Sequence, residues 1–103
     1  MLSEFYKICS IDQFEFGYYL RADGGCVDEH KVVVRYWDKN ERYLAEKTLA
    51  YEDSPGEATE VIAHYLRIGI DLNNLGEYRF LGGYELKYRE GQYVPVPMEL
   101  DQV

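Results

Sequence analysis

Residues 54–69 read SPGEATEVIAHYLRIG, and this stretch decides the fold. Ser54 suits a helix N-cap and Pro55 the first helical position, while Glu57 stands three residues after Ser54, as a capping box requires. Ala58, Val61, Ile62, Tyr65 and Leu66 then follow the spacing of one buried helical face. Gly69 is a stop, because glycine tolerates the left-handed conformation beyond a helix end. The spacing predicts one amphipathic helix that needs an apolar sheet to lie on.

The flanking sequence supplies strands. From Lys31 to Trp37, Val32, Val34 and Tyr36 share one face, and Lys31, Val33, Arg35 and Trp37 share the other. Phe14 to Ala22, FEFGYYLRA, is aromatic and strand-like, with Gly17 marking a bulge or a close backbone approach. Asp38-Lys39-Asn40-Glu41 is a polar turn, and the next strand runs from about Arg42 to Tyr51. Pairing Trp37 with Arg42 sets Tyr36 against Tyr43, Val34 against Ala45 and Lys47 against Val32. That last pair places a charge in an apolar row, which implies either a bulge near Glu46-Lys47 or a strand that leaves the core early.

Residues 1–12 fit neither period. After the helix, IDLNNLGEY reads as a structured connection and Tyr78–Leu81 as a short strand. Tyr84 to Arg89 alternates, Glu90-Gly91-Gln92 turns, and Tyr93 to Val96 returns as an edge strand, since Pro95 and Pro97 each lack an N–H. The expected order is β-β-β-α-β-β-β: an α+β fold with a single helix packed on a mostly antiparallel sheet. Neither a repeat nor a linker divides the 103 residues, so residues 1–103 are expected to form a single domain with a frayed tail from about residue 97. The core should join Val32, Val34, Tyr36, Val61, Ile62, Tyr65, Leu66 and Leu86.

Nineteen acids against eleven Lys and Arg give a net charge of −8, which opposes direct contact with nucleic acid or an anionic membrane and suits a basic partner. The charge is uneven. Residues 31–51 hold three acids and five bases, whereas residues 52–77 hold six acids and one base. Eleven tyrosines suit half-buried sheet positions and, at a surface, protein interfaces. The start of the chain lacks the pattern of a secretory leader, no stretch is long and apolar enough for a membrane span, and two cysteines build no disulfide framework. The expected setting is the cytoplasm (a host's, for a phage-encoded protein), with Cys9 buried and reduced.

Chemistry has few handles in this sequence. Cys26 and His30 are four apart, but no second pair has zinc-ligand spacing, so no metal or cofactor is expected. No phosphate-cradling glycine loop or nucleophile elbow occurs, and no activated nucleophile stands out. The reading is a binding protein rather than an enzyme. Lys31, Arg35, Lys39, Arg42 and Lys47 on one hairpin resemble a phosphate-contacting ribbon, yet they balance local acids and sit in an acidic chain. The stronger lead is Glu52, Asp53, Glu57 and Glu60 around the helix start, with Asp71 and Glu77 beyond it and Tyr51 and Tyr78 flanking the segment. The helix dipole accounts for acids in the first turn; a presented carboxylate surface accounts for the rest.

These features suit a stoichiometric inhibitor of a basic, nucleic-acid-handling protein, of the kind phages direct at host nucleases or CRISPR effectors. The alternatives are an immunity protein that neutralises a nuclease toxin, a small interaction module, and an enzyme or ligand-binding domain whose site is spread along the chain. The edge strand at Tyr93–Val96 also permits a homodimer.

Overall fold

Four strands precede the helix rather than three. The structure is a computed structural model that describes residues 4–21, 29–69 and 81–99. Its order is β1 Phe5–Ile11, β2 Phe14–Arg21, β3 Glu29–Trp37, β4 Tyr43–Glu52, α1 Pro55–Ile68, β5 Tyr84–Arg89 and β6 Gln92–Pro97. Strands β1-β2-β3-β4 form one antiparallel sheet in sequence order, and β5-β6 form a separate hairpin. The class is α+β, as the helical stretch implied. The additional strand is β1, whose period is broken by a bulge: Lys7 pairs with Gly17 and Cys9 with Phe16, so Ile8 has no opposite residue. The expected strand at Tyr78–Leu81 lies outside the described residues except for Leu81, which is in no strand.

Helix α1 begins as the sequence dictates. Ser54 is the N-cap, and its Oγ accepts from the Glu57 N–H at 3.2 Å. The Glu57 carboxylate reaches back to the N–H of Asp53 at 3.2 Å, one residue before the usual capping-box partner. Replacing Ser54 by alanine leaves a helix N–H without this acceptor. A loss of about 0.5–2 kcal/mol is expected in chemical denaturation, and an unchanged midpoint would mean that water serves equally well.

The helix packs on one face of the large sheet. Cys9, Phe14, Phe16, Val32, Val34 and Tyr36 meet Ala58, Ile62 and Leu66 in the buried core. Val61, Tyr65 and Leu86, expected inside, are half-buried at its margin together with Tyr84. Burial raises the Cys9 thiol to about 12, so it remains protonated and inert at neutral pH. Beyond the helix, the Gly69 N–H returns to the Tyr65 carbonyl at 2.8 Å, and the Gly83 N–H donates to the Arg67 carbonyl at 3.2 Å. The hairpin is thereby fastened to the helix end.

The β3–β4 register differs from the expected one. Trp37 pairs with Tyr43, Tyr36 with Ala45 and Val34 with Lys47. The turn takes one residue more: Asp38 N–H donates to Arg42 O and Glu41 N–H to Asp38 O, both at 3.0 Å, while Asp38 Oδ1 accepts from the N–H groups of Asn40 and Arg42. Instead of one bulge near Glu46-Lys47, two irregularities flank that pair, leaving Leu44 and Leu49 unopposed. Glu41 closes the loop at φ 63°, in left-handed backbone that favours glycine. Its side chain is exposed. Glu41→Gly is therefore expected to stabilise by about 1 kcal/mol, read as a raised thermal midpoint. A lowered midpoint would show that the side chain contributes more than the strain costs.

Candidate functional site

The sequence-derived acids gather where β4 runs into α1. Tyr51 and Glu52 end the strand, Asp53 links to Ser54, and Glu57 and Glu60 lie on the first turns of the helix. Asp53, Glu57 and Glu60 are exposed, and Glu52 is half-buried. Glu57 has a structural task in the cap. Glu52 is paired with His30, whose Nδ1 lies 3.3 Å from the Glu52 carbonyl. Tyr51 pairs with Lys31 and is 52% exposed. The unopposed Leu49 sets this arrangement. Without that extra residue, side-chain alternation would turn Tyr51 toward the helix and Glu52 away from it. Asp71, Glu77 and Tyr78 lie outside the described residues.

The sheet face away from the helix carries a second, different cluster. Arg35 places its guanidinium carbon 4.1 Å from the ring centre of Phe5, 4.9 Å from that of Trp37 and 5.8 Å from that of Tyr43. Such cation–ring contacts contribute about 0.5–2 kcal/mol each, most where water is excluded. The Arg35 side chain is 16% exposed, and its Nε lies 3.9 Å from Glu15 Oε1 with no hydrogen-bond partner. Glu15 also accepts from the Trp37 indole N–H at 2.6 Å and faces the Lys7 ammonium at 3.9 Å. The Tyr19 hydroxyl donates to Glu46 at 2.6 Å; burial, then this hydrogen bond and the neighbouring charge, push the phenol up to about 12. Val33, on the same face by register, is fully buried. Long side chains lying flat thus do for this face what the helix does for the other.

This network draws some of the hairpin's basic side chains into contacts of their own. Arg35 is enclosed by rings, Arg42 Nε pairs with Asp38 at 3.4 Å, and Lys47 shares a register position with the core residue Val34.

A third feature arises from residues distant in sequence. The β1–β2 and β3–β4 turns border a shallow cavity of about 590 Å³, open to solvent and lined by Asp12, Glu15, Trp37, Asp38 and Glu41 among others. Gln13 joins the two turns: its Nε2 donates to the Trp37 carbonyl at 2.9 Å, and its own carbonyl accepts from the Trp37 N–H at 2.8 Å. The carboxyl of Asp38 is held below its usual range chiefly by the Arg42 N–H. Only strand pairing brings positions 12–15 beside 37–41, so no local motif announces the cavity. Among the described residues, no group of three or more His, Cys, Asp and Glu side chains is placed to hold a metal ion, and no helix is long and apolar enough to cross a membrane. No family model, no curated protein and no solved structure matches the chain.

Proposed function

We propose that this protein is a small acidic binding protein, a stoichiometric inhibitor that engages a basic, nucleic-acid-handling partner through the β4–α1 junction. The observation that carries the reading is the junction itself: Tyr51 is turned out of the core by the irregularity at Leu49, Asp53 follows it two residues later, and Glu60 is exposed on the helix that begins there. Carboxylates at an interface accelerate association and select partners, while desolvated aromatic side chains anchor the complex. The net charge of −8 favours approach to a basic surface. Arg35, enclosed by rings and facing Glu15, is withdrawn from direct nucleic-acid contact at the hairpin.

Affinity capture identifies the partner, and binding kinetics at two salt concentrations test the site. Glu52→Lys, Asp53→Lys and Glu60→Lys together should slow association about ten-fold at low salt and flatten its salt dependence. Glu57 is left intact because it caps the helix. An unchanged association rate would reduce the carboxylates to a solvated surface. Loss of binding on reversing Lys31, Arg35 and Arg42 instead would move the site to the hairpin.

A further inference from the structure

We infer that the basic partner is held as an extended segment added to the open edge of β4, beside Tyr51, Glu52 and Asp53. This rests on the reading of a basic partner and specifies how that partner binds.

Strand β4 is the last in the order β1-β2-β3-β4 and ten residues long, with no strand on its far side among the described residues. Alternate N–H and C=O groups along such an edge point outward and offer a template for another strand. The other edges are less suited. Alongside β1 lies a cleft whose opposite wall is Gly91–Pro95, and the bulge at Ile8 breaks its ladder. On β6, prolines remove the donors. The Met98 N–H bonds Gly83 O, so bonded pairs alternate from that point. Pro97 opposite Tyr84 and Pro95 opposite Leu86 therefore occupy the positions whose nitrogens face away from β5. The six-residue β5 carries Glu85 paired with Lys87 at 3.6 Å and also Arg89, so its surplus positive charge opposes a basic segment.

Charge selects the occupant at β4. The strand leads directly into Glu52, Asp53, Glu57 and Glu60, so a segment laid along it runs past carboxylates. Its side chains alternate in direction, so cations at every second position would all face one side. A second copy of this chain fits less well: both copies would carry the same net charge of −8, and two-fold pairing centred on Lys47 would also set Lys47 against Lys47. The irregularities at Leu44 and Leu49 interrupt the edge, which favours a flexible segment over a preformed sheet.

The test uses the full chain and a capped eight-residue peptide alternating lysine and valine, at about millimolar concentration, the range in which weak contacts populate. Amide hydrogen exchange is read residue by residue. At saturation, alternate amides of β4 should exchange about ten-fold more slowly, and the Glu52→Lys, Asp53→Lys, Glu60→Lys variant should lose that protection. Chemical-shift changes confined to the carboxylates, with β4 exchange unaltered, overturn strand addition and leave the basic-partner reading standing. Equal protection in the variant overturns the proposal by removing charge as the selector. Absence of binding overturns it too. Protection that grows with protein concentration without peptide assigns the edge to a second copy and overturns it as well.

Discussion

Leu66→Ala is expected to cost about 2–5 kcal/mol in a urea or guanidinium titration. Leu66 is fully buried on the helix face that meets Phe16 and the β3 valines, and Ile62 lies one turn earlier on the same face. Alanine removes three carbons there. Part of the loss is the transfer of those carbons, and part is the cavity left when a single helix cannot settle further onto four paired strands. Ile68→Ala is the control, because Ile68 is 62% exposed at the helix end. It should change stability by less than about 0.5 kcal/mol. Equal effects at the two positions would mean that the helix presents a different face to the sheet.

The helix was legible because its signals are local. Cap, period and stop all fall between Ser54 and Gly69, and the observed span Pro55–Ile68 keeps them. The sheet was only partly legible, because its pairing depends on turns and bulges. Val32, Val34 and Tyr36 face the core as their alternation required. The β3–β4 register moved because Glu41 adopts a positive φ, which a glutamate seldom does and a glycine would have advertised. Strand β1 was hidden by its bulge at Ile8. The acids at the β4–α1 junction were visible as a run, since they are near neighbours in sequence. The enclosure of Arg35 by Phe5, Trp37 and Tyr43 was not visible: it joins three strands, and no spacing along the chain encodes it.

Gly17→Ala is expected to be at least as damaging, at about 3 kcal/mol or more. The reason is backbone rather than conformation. A Cβ at Gly17 would sit 2.2 Å from the carbonyl oxygen of Tyr6 and 2.7 Å from Cζ of Phe5. The Phe5 ring can turn aside, but the Tyr6 carbonyl belongs to the neighbouring strand, and moving it displaces β1 from β2. That displacement reaches both faces. On one, Cys9 is paired with Phe16 in the core; on the other, Phe5 would leave the Arg35 guanidinium and the edge of the Tyr19 ring. Gly56→Ala gives the contrast. Its nearest neighbour is Ser54 Oγ at 3.9 Å, and alanine in the first helical turn should stabilise by up to about 1 kcal/mol. Denaturation of the two variants side by side decides the matter. If Gly17→Ala falls within about 0.5 kcal/mol of the parent protein, β1 lies farther from β2 at Gly17 than this close contact requires.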